Sequence, residues 1–114
     1  MSDDMVIFTR TFDLLSWLLP HLTKFPKAQR YLVVQRLGDA ALDFQEALSH
    51  ANAQRGEQRL LQLRTADGHL TSLRLYLRLA FQWAWLDSAQ FEYVSKMVEE
   101  IGRLLGGWIK QTAL

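Results

Sequence analysis

The chain has 114 residues and a mass of 13.2 kDa, which is one domain's worth of sequence and enough to bury roughly two-thirds of its unfolded surface. Hydrophobic residues at 49% and charged residues at 22% exclude wholesale disorder, and the lack of cysteine excludes disulfides, thiolate metal sites and cysteine nucleophiles while suiting a reducing cytoplasm. Net charge is only +1, but it is unevenly placed: Lys24, Lys27, Arg30 and Arg36 form a block without acids, and five arginines between 55 and 78 outweigh Glu57 and Asp67. If the two blocks meet in space they make a patch for an acidic or polyanionic partner.

The chain starts MSDDMVIFTR, acidic and without a basic stretch ahead of an apolar run, so no signal peptide is expected. No run approaches the ~18 apolar residues of a membrane span. A single cytoplasmic domain over residues 1–114 is the expectation. The first helix is expected at about residues 6–24, where Phe8, Phe12, Leu15, Leu19 and Leu22 step by four and three along one face and Trp17 falls opposite. Pro20 removes a hydrogen bond inside it and kinks it. Phe25-Pro26 stops it, because a residue before proline leaves the α region, and Pro26 suits the first turn of the next helix.

The second helix is expected at about 27–54, with the stripe Val34, Leu37, Ala41, Phe44, Leu48 and Ala51. Its far face is an acidic line of Asp39, Asp43 and Glu46, with His50. Asn52 to Gly56 reads as the break, with Gly56 a C-terminal cap or turn.

The third helix, expected at about 57–85, differs from the rest. Leu63, Ala66, Leu70, Leu73, Leu77, Ala80 and Ala84 form its core stripe. Leu75, Leu79 and Leu86 fall on the opposite side with Trp83 nearby, and Arg74 and Arg78 lie one turn apart at the seam. A helix apolar on two sides is normally buried on both, and a four-helix bundle cannot do that alone. A homo-oligomer interface built on Leu75, Leu79, Trp83 and Leu86 is therefore expected. Gly68, mid-helix, reads as a close-packing position.

The fourth helix is expected at about 88–111. Asp87-Ser-Ala-Gln90 is a capping box. Phe91, Val94, Val98, Ile101, Leu105 and Trp108 form the stripe, and Glu92–Lys96 and Glu99–Arg103 are favourable i,i+4 pairs on a wet face. Gly102 and Gly106 read as close helix contacts. Four helices with short loops predict an all-α, antiparallel up-down four-helix bundle.

Catalytic chemistry is not evident. A di-iron bundle needs inward Glu-x-x-His pairs; here Glu46 and His50 are four apart on an outer face with no second pair, so no metal or other cofactor is expected. Neither a nucleophile elbow nor a P-loop nor a dinucleotide fingerprint is present. The arginines remain: a guanidinium is a planar, permanently charged fork suited to carboxylate or phosphate. Tyr76, Phe81, Trp83 and Trp85 beside Arg74 and Arg78 either stack bases or simply pack. Equally, the two arginines either meet a partner or pair with acids of a neighbouring helix or subunit.

Two strings carry a family likeness. Ala66 to Arg78 (ADGHLTSLRLYLR) and Glu99 to Lys110 (EEIGRLLGGWIK) resemble the accessory variability determinant, Avd, of diversity-generating retroelements. Lys24 to Tyr31 (KFPKAQRY) is similar to the wider four-helix-bundle family that includes proteins encoded by ribosomal-RNA intervening sequences. The resemblance spans about residues 9–111. It implies a four-helix bundle assembling as a pentameric ring or barrel, without catalysis of its own, that binds the retroelement's reverse transcriptase and template RNA. It implies a partner-binding role for Arg74 and Arg78, and then for Lys27 and Arg30; Lys24, Arg36 and Arg59 are further candidates from the basic blocks alone. Net charge +1 is below the strongly basic balance of such proteins, which favours polymerase over bare nucleic acid. The runner-up is a generic bundle adaptor of the intervening-sequence type, binding protein or RNA.

Overall fold

Apolar steps of three and four residues close into four helices in the computed structural model, which describes residues 3–25 and 27–114, with side chains outside 3–5 and 27–30. They are α1 (Asp3–Leu22), α2 (Lys27–Asn52), α3 (Gly56–Gln82) and α4 (Ser88–Ala113), with no strand among the described residues. Helices adjacent in sequence pack side by side and α4 returns to α1, while the two diagonal pairs do not approach. Phe25 and Trp85, with ring centroids 5.5 Å apart, bring the α1–α2 turn beside the α3–α4 turn. At the other end Trp108 meets Phe8 edge-on at 6.2 Å and lies under the Arg59 guanidinium at 5.8 Å. Direction therefore alternates, as an up-down bundle requires. The molecule is 46 Å long and 24 by 19 Å across, close to the ~39 Å of a 26-residue helix plus its turns. No described helix is long and apolar enough to cross a membrane.

The expected stripes of α2, α3 and α4 bury much as their spacing dictates. Leu63, Ala66, Leu70, Leu73, Leu77 and Ala80 of α3 face Leu37, Ala41, Phe44, Leu48 and Ala51 of α2 and Val94, Val98, Ile101, Leu105 and Trp108 of α4. Asp87 opens α4 as a capping box: its carboxylate accepts from the Gln90 amide at 2.8 Å, and the Gln90 side chain accepts from the Asp87 amide at 2.9 Å.

In α1 the phase differs from expectation. The buried line is Ile7, Thr11, Leu14, Leu18 and Leu22, and Phe12 is 69% exposed. Thr11, polar at a core position, interrupts the apolar pattern of the true face; its hydroxyl is buried without a hydrogen-bond partner. Pro20 lies inside the last turn of α1, which ends two residues later, and the Thr23 hydroxyl donates to the Pro20 carbonyl at 2.8 Å.

Helix α3 stops earlier than expected. Ala84 leaves the stripe with φ +61°, while the Trp85 amide donates to Ala80 and the Ala84 amide to Phe81. These are the two bonds of a Schellman end, with alanine where glycine is usual. The left-handed conformation costs an L-residue about 1–2 kcal/mol. Ala84→Gly should raise stability by about 1 kcal/mol in denaturant melts; an unchanged or lower midpoint would contradict the strain. The same reversal sends the Leu86 amide back to the Ala80 carbonyl at 3.3 Å, and Leu86 is 1% exposed. It belongs to the chain's own core and leaves the interface group expected from helical phase.

The glycines also sort differently. Gly56, φ +58°, makes the α2–α3 turn as the first residue of α3. Gly68 and Gly106 have open space where a side chain would project, so neither is a close packing point within the chain. Gly102 is one: an added Cβ would lie 2.5 Å from the Arg74 Nη2.

Candidate partner-binding site

Three flanks of α3 do three jobs. One lies buried on the core. A second, turned to α4, carries Arg74 and Arg78, which with Leu77, Phe91, Ser95, Val98 and Glu99 line a groove of about 280 Å³. The floor is aliphatic and aromatic: Leu77 and Val98 are buried, and Phe91 stacks on Phe81 at 4.4 Å with ring planes 10° apart. Both arginines are exposed, and among the described residues neither forms an ion pair. Glu99, the one acid on the rim, is engaged by Arg103 at 3.0 Å. Among the described residues the chain thus presents two cations without an ion pair, one turn apart over apolar ground.

The third flank faces outward. Leu75 is 54% exposed, Trp83 47%, and Leu79 is half-buried. Leu61, 64% exposed, joins them and was not singled out by sequence. The signal was present: positions 61, 65, 68, 72, 75 and 79 alternate four- and three-residue steps and hold no charge. Threonine, glycine and serine between the leucines hid the stripe.

The other basic candidates scatter. Arg36 lines a groove between α2 and α3 with Asp39, Asp43, His69 and Tyr76. Tyr76 and Arg74, two residues apart, lie about 200° apart around α3, so Arg36 and Arg74 sit on different sides of that helix. Arg59 is fifteen residues before Arg74, about 22 Å along the helix. Its guanidinium donates to the Ala51 carbonyl at 2.9 Å and to the Asn52 carbonyl at 3.4 Å, closing the end of α2, and covers Trp108. That is a structural use of the side chain. Lys24 is exposed in the turn after α1. The side chains of Lys27 and Arg30 lie outside the described residues.

The aromatics beside the arginines pack within the chain. Phe81 lies on Phe91, Trp83 meets Trp85 at 5.2 Å, and Tyr76 rests against the core. Packing, not base stacking, is what their geometry favours. Among the described residues no three of His, Asp and Glu converge in a way that would hold a metal ion.

Fold and site together define a four-helix bundle with an exposed arginine pair at a helix–helix seam that forms no ion pair among the described residues. The chain belongs to the bAvd-like family, whose model matches residues 5–112; Avd is the accessory variability determinant. A crystal structure of a protein of unknown function from the S23 ribosomal protein family, from Bacteroides thetaiotaomicron, superposes with a TM-score of 0.87. It covers 96% of this chain and 99% of that one at 14% identity, a likeness of fold. No curated protein matches the chain.

Proposed function

We propose that this chain is a non-catalytic accessory subunit that binds the reverse transcriptase of a diversity-generating retroelement and its template RNA, supporting mutagenic copying into a variable gene. The supporting observation is the pair Arg74 and Arg78, exposed and without an ion pair among the described residues, at the α3–α4 seam of a bAvd-like chain. Two cations over an apolar floor suit a protein surface better than a phosphate backbone, which needs several contacts for useful affinity. Template RNA falls to the basic residues Lys24, in the turn after α1, and Lys27 and Arg30, in the first turn of α2. The subunit works in the cytoplasm, without a cofactor, as a homo-oligomer; the resemblance to Avd makes that a pentamer. Leu61, Leu75, Leu79 and Trp83 meet the neighbouring subunit.

The test is capture of the polymerase encoded beside this gene. Arg74→Ala with Arg78→Ala should reduce co-purification at least tenfold while circular dichroism and sedimentation stay unchanged. Undiminished capture, or dissolution of the oligomer, would take these residues away from the polymerase. No reverse-transcriptase gene nearby would leave the bundle-adaptor reading in place. RNA binding, where measured, should weaken steeply between low and physiological salt.

A further inference from the structure

The groove beneath Arg74 and Arg78 has a chemistry of its own. Its exposed lining is mostly apolar: Leu77 and Val98 lie buried at its base, with Phe91 and Ser95 on the α4 side. At about 280 Å³ it lies just under the ~300–1,000 Å³ of pockets that enclose a drug-sized ligand. That is room for one or two side chains. Phe81 and Phe91 stack on each other, so each covers one face of its neighbour's ring within the chain. The rim carries Arg74 and Arg78, whose spacing of one helical turn matches carboxylates one turn apart on another helix. Glu99 stands on the same rim, where it pairs with Arg103, and among the described residues neither Arg74 nor Arg78 forms an ion pair.

The position of one of these cations depends on a glycine. Arg74 lies against α4 where Gly102 leaves the surface bare; with any side chain at 102 the Nη2 would sit 2.5 Å from the new Cβ and have to move. The Arg74 guanidinium is the far end of a flexible side chain, so the helix itself would tolerate the change while the cation would not stay in place.

We propose that the α3–α4 groove is an anchor site for an acidic amphipathic helix of a protein partner. One large apolar side chain of that helix enters between Leu77, Phe91 and Val98, and flanking carboxylates engage Arg74 and Arg78. Gly102 is the positioning residue that seats Arg74. The inference rests on the reading of this seam as the partner-binding site, and it names what the seam recognises: an apolar residue bracketed by acids, on a protein and not a nucleic acid.

The probe is a short fluorescein-labelled helical peptide with two glutamates one turn apart and a leucine on the same face, followed by anisotropy against the full chain. It should bind saturably. Replacing its leucine by serine, or its glutamates by glutamine, should each weaken binding about tenfold. Gly102→Ala should weaken it at least fivefold at an equal or higher melting temperature, since alanine is the better helix former. In an Arg74→Ala background Gly102→Ala should have no further effect, because both act through one guanidinium. Four results would overturn the proposal: no binding of the acidic peptide, indifference to its leucine, additive effects of the two substitutions, or tighter binding of a single-stranded oligonucleotide in competition at this seam. Polymerase capture separates the two levels. Capture that ignores Gly102→Ala removes the anchor and leaves the accessory role, whereas peptide binding without capture removes the accessory role and leaves the anchor.

Discussion

Leu61→Glu combined with Leu75→Glu should yield a folded monomer under conditions where the parent chain sediments as an oligomer. Both leucines are more than half exposed on the single chain, so neither change touches the bundle core. In an assembly that buries the outer flank of α3, each substitution removes about 1–1.5 kcal/mol of apolar burial, since each leucine is only part exposed in the single chain, and forces a carboxylate out of water. Even the lower figure, taken twice, weakens association by about 2 kcal/mol, roughly thirtyfold. Helicity by circular dichroism should be unchanged. If the parent chain is already monomeric at micromolar concentration, or the double variant assembles as the parent does, the outer flank is not the subunit contact.

Phe44→Ala should be the most damaging of the single truncations in the core. Phe44 is 0% exposed and lies mid-way along α2 among Leu37, Ala41 and Leu48. Removing a buried phenyl costs about 3–5 kcal/mol, against total stabilities of about 5–15 kcal/mol for domains. Chemical denaturation should report a loss in that range. Phe12→Ala is the companion measurement, because Phe12 projects from α1 into solvent. Surface changes of this kind fall within about 0.5 kcal/mol. A loss above 2 kcal/mol at Phe12 would mean that α1 is rotated by about one residue and carries the face its spacing first suggested.

That contrast shows where the sequence could be read and where it could not. Helices α2, α3 and α4 each have one uninterrupted apolar line, and periodicity alone placed Phe44, Leu70 and Ile101 inside. Helix α1 has two competing lines one residue apart. Thr11 broke the true one, and Phe8, Phe12, Leu15 and Leu19 completed the other, so hydropathy favoured the wrong face. The end of α3 was hidden for a different reason: its left-handed residue is Ala84, not glycine, so no local signal marked the stop, and Leu86 was carried along the helix phase to a surface it never reaches. At the site, Arg74 and Arg78 were legible through their spacing and family strings. Their lack of ion-pair partners, the groove beneath them and the role of Gly102 depend on how α4 lies against α3. No one-dimensional pattern reports that.

The return of α4 to α1 also bears on how the molecule assembles. Arg10 of α1 reaches Glu100 of α4 at 3.1 Å across ninety positions of chain, whereas α3 and α4 are joined by a turn of five residues, 83–87. Loop-closure entropy makes the long connection about 2.5 kcal/mol harder to close than the short one. The hairpins α1–α2, α2–α3 and α3–α4 carry the low-contact-order part of the topology, and only the α1–α4 contact closes across the length of the chain. The arginine seam lies wholly within the α3–α4 hairpin. Every residue of that groove is carried by the last two helices, so in synthesis from the N-terminus the recognition surface forms only after α4 has emerged, when α1 and α2 are already there to pack against.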